Sequence, residues 1–132
     1  MKKFKEYQLT KILLLIGSIF FFLEFILHLF GLGILEHDKI FLYTHDRYIA
    51  LFALTYSVLL FLIYTDIKKY TDLFKLTMIG ILLSFINAIF ISYQGGYEKL
   101  FPVNALDYNL SLLGLLFLVW YLSLIILYKI KN

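Results

Sequence analysis

Glu24 and His28 stand four residues apart within an apolar run, 12–35, long enough to cross a lipid bilayer. On a helix that spacing brings a carboxylate and an imidazole onto one face, within reach of each other. An ionisable group near mid-bilayer costs about 3 kcal/mol even on a lenient insertion scale, so a helix that keeps one turns it toward a partner or a function. Three chemistries suit the pair. The plainest is structural: Glu24 and His28 hydrogen-bond each other and, with Asn87 or a tyrosine hydroxyl, fix how the helices pair. The second is proton coupling, with Glu24 exchanging its proton for a substrate and His28 relaying it. The third is a metal or haem site drawing on Glu24, His28, His37 and His45, with bis-histidine haem b between His28 and His45 as one form. For the third the spacing is weak, because the chain has no His-Glu-x-x-His and no Glu-x-x-His repeated on two helices.

The elements that must position these residues are set by composition. Of the 132 residues, 62% are hydrophobic and 20% aromatic, and the mean hydropathy is +0.87; soluble domains do not reach these values. A bilayer core of about 30 Å takes roughly 20 apolar residues per helix. Four segments meet that length: 12–35, 48–65, 76–94 and 107–128. The expectation is one all-α transmembrane domain spanning 1–132, a left-handed up-and-down bundle of four helices joined by short loops.

Lys and Arg near helix ends bias those ends toward the cytoplasm. Lys2, Lys3, Lys5, Lys11, Lys68, Lys69, Lys75, Lys129 and Lys131 all fall at one end of such a bundle. The opposite loops hold Lys39, Arg47 and Lys99 among Glu36, Asp38, Asp46, Glu98 and Asp107. A cell-membrane protein with both termini cytoplasmic is therefore expected, and its net charge of +3 answers to topology and anionic lipid, with no place for nucleic acid. The first segment starts like a secretory signal, but its length and Glu24 mark it as a retained helix. No cysteine is present, which removes disulfides, thiolate zinc sites and iron–sulfur clusters.

Small and polar residues recur on one stripe of each segment, as close packing in lipid requires. The stripes are Gly17, Glu24, His28 and Gly31; Asp46, Ala50, Ala53, Ser57 and Tyr64; Gly80, Ser84, Asn87 and Gln94; and Asp107, Ser111, Gly114, Tyr121 and Tyr128. Gly80, Ser84, Ala88 and Ser92 also recur every four, a close internal crossing or a dimer face. Thr44 or Asp46, Thr71 or Asp72, and Asn104 are the candidate caps of the second, third and fourth helices. By depth, Glu24, His28 and Asn87 can meet if the first and third helices touch, and Tyr121 shares the polar stripe of the fourth. The expected cluster is thus Glu24, His28, Asn87 and Tyr121, roofed by His37, His45, Asp46 and Arg47.

Catalytic templates such as Gly-x-Ser-x-Gly or a glycine-rich phosphate loop are missing, so no enzyme and no cofactor is expected. The expected role is an accessory or structural subunit of a membrane assembly, whose partners are the bilayer and either other membrane subunits or a second copy of the chain. A proton-coupled small-molecule transporter using Glu24, and a metal- or haem-binding protein using Glu24, His28 and His45, are the alternatives.

Overall fold

The computed structural model describes residues 7–31, 43–93 and 103–131, and within the helices no side-chain description is given for 43–45, 88, 89, 91–93 and 103–113. The described chain is all-helical, with no strand: α1 (Gln8–Phe30), α2 (Tyr43–Thr65), α3 (Thr71–Tyr93) and α4 (Val103–Lys129). At 23 to 27 residues each, they are about 35 to 40 Å long. α1 and α2, the latter over Asp46–Thr65, are long and apolar enough to cross a membrane.

Each helix begins four or five residues before its apolar window, because a polar first turn is as helical as the apolar turns that follow it. Thr44 and Asp46 therefore lie inside the first turn of α2, and Asn104 inside that of α4. Thr71 opens α3 without acting as the expected cap; its hydroxyl donates back to the Ile67 carbonyl at 3.1 Å. Asp66 organises that turn, its carboxylate accepting the Lys69 N–H at 3.1 Å. α1 stops at Phe30 and not near Leu35, because Gly31 takes the left-handed conformation (φ 62°) and donates its N–H to the Leu27 carbonyl. Glycine occupies that region at no steric cost and so ends helices.

Contacts between helices run antiparallel throughout, with paired positions rising along one helix as they fall along its neighbour. Along α1 and α2 the pairs run from Lys11 with Tyr64, through Ser18 with Ser57, to His28 with Asp46. α2 meets α3 where Tyr56 lies over Gly80, and α4 meets α1 where the Trp120 indole Nε1 donates to the Leu13 carbonyl at 2.9 Å. α3 and α4 touch through large side chains, Phe74 stacked on Tyr128 at 4.1 Å between ring centres and the Tyr121 hydroxyl donating to the Met78 carbonyl at 3.2 Å. The order around the bundle is α1, α2, α3, α4, so α1 and α3 stand on a diagonal.

Close approach of α1 and α2 follows from small residues. Ala50 and Ala53 of α2 are buried, and Ser18 and Ser57 exchange hydroxyl-to-carbonyl bonds of 2.9 and 2.8 Å. Each bond satisfies a buried hydroxyl with a carbonyl of the neighbouring helix; such interhelical bonds contribute about 0.6 to 2 kcal/mol in membrane proteins. Ser18→Ala and Ser57→Ala should each lower stability by about 1 kcal/mol, and the double variant by less than their sum. Additive losses in a denaturation series would show that the two bonds act independently.

Large apolar side chains cover the outside of the bundle as well as its core. Thr10, Ser18, His28, Asp46, Ser57 and Thr77 are buried, while Ile16, Leu23, Phe52, Leu76, Ile86, Leu116 and Ile126 point outward. An apolar core of Leu14, Leu60, Ile63, Phe74, Ile81 and Leu124 runs through the half of the bundle nearest the chain ends. The buried polar residues are spread along the bundle, and the two ionisable ones, His28 and Asp46, meet at the opposite end of the α1–α2 seam.

Candidate functional site

The site lies where α1 ends and α2 begins. His28 is in the last turn of α1 and Asp46 in the first turn of α2. Those positions suit them physically, since a helix C-terminus favours a cation and a helix N-terminus an anion. Glu24 lies one turn before His28. Its Oε2 is 3.3 Å from His28 Nε2, and His28 Nδ1 is 3.0 Å from Asp46 Oδ1. The imidazole is thus held between two carboxylates, one from its own helix and one from the next. The His28 and Asp46 side chains each keep 10% of their surface open, and Glu24 keeps 24%.

The Asp46 contact is a hydrogen bond and the Glu24 contact an ion-pair approach; a hydrogen bond at each ring nitrogen takes two protons. A neutral imidazole carries one N–H, so only one of its nitrogens donates. The second contact needs either an imidazolium between two carboxylates or a neutral imidazole accepting from a protonated carboxyl. Both forms carry the same net charge of minus one. The trio is therefore a unit in which one proton can sit on His28 or on a carboxyl with no change in total charge.

The grouping differs from the one expected. Asn87 is exposed on α3 and lies apart from the trio, because α3 is diagonal to α1 and the polar face of α1 is covered by α2. Tyr121 is buried, but its hydroxyl is used on the Met78 carbonyl of α3. Asp46, expected in the roof, is the direct partner of His28. Arg47 is exposed beside it. His37 and the side chain of His45 lie outside the described residues, as do Gln94 and the side chains of Asp107 and Ser111. Gly80 and Ser84 make an internal contact, with the Tyr56 hydroxyl 3.4 Å from Ser84 Oγ.

Spacing contained the signal for Asp46. Once Ser18 and Ser57 are aligned on facing antiparallel stripes, position 28 falls opposite position 46. As for metals, the two carboxylates address opposite nitrogens of one ring and do not converge on a point, and among the described residues no group of three or more His, Asp or Glu is placed to hold an ion. A haem iron on His28 would have to displace one of its carboxylates.

No protein-family model, curated protein or solved structure matches the chain.

Proposed function

We propose that the protein is an integral four-helix membrane bundle with both ends of the chain in the cytoplasm, serving as a small structural or accessory subunit of a membrane assembly. Support for the membrane begins with the two apolar helices, of which only 22% and 28% of the spanning windows is buried inside the molecule. A core helix of a soluble protein would be covered. The outward apolar face extends over all four helices, and hydrocarbon is the solvent that such a surface fits. The orientation is supported by the six lysines among the described residues at one end of the bundle, Lys11, Lys68, Lys69, Lys75, Lys129 and Lys131.

The single observation that carries the structural role is the His28 bridge to Asp46 at 3.0 Å. It ties the polar groups of α1 to α2, which leaves the apolar faces of the other helices to meet lipid or a partner. Gentle extraction followed by native mass spectrometry tests the accessory role: co-purifying membrane subunits support it, and a protein that runs alone from its own membrane overturns it. Because the chain has no cysteine, Tyr48→Cys should react with an impermeant maleimide on intact cells, whereas Lys131→Cys should react only after the cells are permeabilised. Labelling of Lys131→Cys from outside would reverse the orientation.

One observation favours a second reading. Glu24, the least covered member of the trio at 24%, is placed to exchange a proton with something outside the bundle, as a proton-coupled carrier needs. Glu24→Gln separates the two readings: a structural trio tolerates the amide, whereas a carrier reconstituted in liposomes loses proton flux entirely.

A further inference from the structure

The end of the bundle opposite the trio has a chemistry of its own. α2 and α3 are joined there by the turn at 66–70, bracketed by Tyr64 and Tyr70. The Lys11 ammonium of α1 stands 5.9 Å from the centre of the Tyr64 ring, and that of Lys69 stands 5.2 Å from the Tyr70 ring. Both are within the distance at which a cation is drawn to an aromatic face. The chain's two ends close the same surface. Tyr7, in the left-handed region at φ 65°, donates its N–H to the Lys131 carbonyl at 3.0 Å, and its ring stacks on Tyr128. That bond holds Lys129 and Lys131, both exposed, beside the start of α1.

Charge is strongly one-sided. Among the described residues this end holds Lys11, Lys68, Lys69, Lys75, Lys129 and Lys131 against Asp66 and Asp72. Both carboxylates are engaged locally, Asp66 by the Lys69 N–H and Asp72 by Lys75 at 3.3 Å. Directly beside the lysines the surface turns apolar, with Leu9, Ile12, Phe61, Leu62 and Ile130 exposed. Positive charge at a tyrosine collar, bordered by exposed aliphatic side chains, matches a molecule with an anionic head and hydrocarbon tails. A free anion would use the lysines and leave the apolar border without a role.

We propose that this end carries a binding site for the phosphodiester headgroup of anionic phospholipids, centred on Lys11 and Lys69 and oriented by Tyr64 and Tyr70. The proposal rests on the membrane reading above. Tyrosine rings hold the ammonium groups at the level of the headgroups, and the acyl chains lie along the flanks of α1, α2 and α4. Basic groups at a cytoplasmic leaflet gain from anionic lipid one by one, so two positioned lysines give selectivity beyond that of the leaflet as a whole.

The test uses the full chain in nanodiscs of equimolar phosphatidylcholine and phosphatidylglycerol, with the lipids retained on the protein counted by native mass spectrometry. Phosphatidylglycerol should be enriched on the protein by about tenfold. Lys11→Gln with Lys69→Gln should remove most of that enrichment, leaving the smaller excess drawn by the other lysines of this end, while Lys11→Arg with Lys69→Arg should keep it. The tryptophan emission of each variant, unchanged from the parent, shows that folding is preserved. Enrichment undiminished in the glutamine pair overturns the site, and so does its loss to excess inorganic phosphate, which would make the ligand a free anion. Alkaline carbonate extraction of the parent protein keeps two failures apart. Release from membranes sinks the membrane reading, whereas a protein that stays embedded and shows no preference for phosphatidylglycerol sinks this proposal alone.

Discussion

His28→Ala should destabilise the fold by about 3 to 5 kcal/mol, the usual cost of removing one partner of a buried ion pair. Two carboxylates would remain at the α1–α2 seam, Glu24 at 24% and Asp46 at 10% side-chain exposure, and both would lose the imidazole between them. Their desolvation would no longer be offset by the ring. The cost comes from what is left behind, so removing the whole group should cost less. The triple variant Glu24→Leu, His28→Leu, Asp46→Leu is expected to be more stable than His28→Ala alone, since apolar replacement of a complete buried ionic group is often neutral. Glu24→Gln should lie close to the parent, because its amide can donate to an imidazole nitrogen that accepts. An SDS titration in mixed micelles, followed by tryptophan emission, ranks the four proteins. If His28→Ala is no less stable than Glu24→Gln, the imidazole does not join the helices and the structural role for the trio fails.

That ranking also shows what could be known from the residues alone. The Glu24–His28 contact was legible because an interval of four on a helix dictates it. The α2 stripe was legible too: Asp46, Ala50, Ala53 and Ser57 are buried and Tyr64 is half-buried. Which stripe faces which was not. Membrane helices are apolar on every side, so periodicity points at no particular neighbour, and matching by depth alone paired α1 with α3 across the diagonal. Gly17 and Ser18 show the difficulty at the scale of one residue. Only Gly17 belonged to the expected stripe, yet Ser18 is the residue bonded to α2, while Gly17 lies against Trp120 of α4. Neighbours in sequence are about 100° apart around a helix and serve different partners. Asp46 was missed for another reason: an aspartate near a helix start reads as a cap, and the spacing that sets it opposite His28 is readable only once Ser18 and Ser57 are known to face each other.

Gly17→Leu should be nearly as damaging as His28→Ala, through sterics in place of charge. A Cβ added at Gly17 would stand 2.3 Å from Trp120 Cζ2 and 3.0 Å from Leu60 Cδ1. The first of these is an aromatic ring with no flexible end to give way. The indole is also tethered, because its Nε1 donates to the Leu13 carbonyl one turn below Gly17 at 2.9 Å. Any side chain at 17 therefore pushes the ring off its hydrogen bond as well as out of its packing. Overpacking of this kind costs about 1 to 3 kcal/mol, and a half-buried indole N–H pushed off its carbonyl adds about 1 kcal/mol more. Gly17→Ala is expected near 2 kcal/mol and Gly17→Leu above 3 kcal/mol, on the same scales. Trp120 is the chain's one tryptophan, so its emission reports this contact directly and should shift in both variants before any denaturant is added. Trp120→Phe provides the control. A smaller ring without an N–H makes room at 17, so Gly17→Ala should cost at least about 1 kcal/mol less in that background than in the parent. Equal costs in the two backgrounds would mean that glycine is needed at 17 for the approach of α2 through Leu60, and that the α1–α4 contact is secondary.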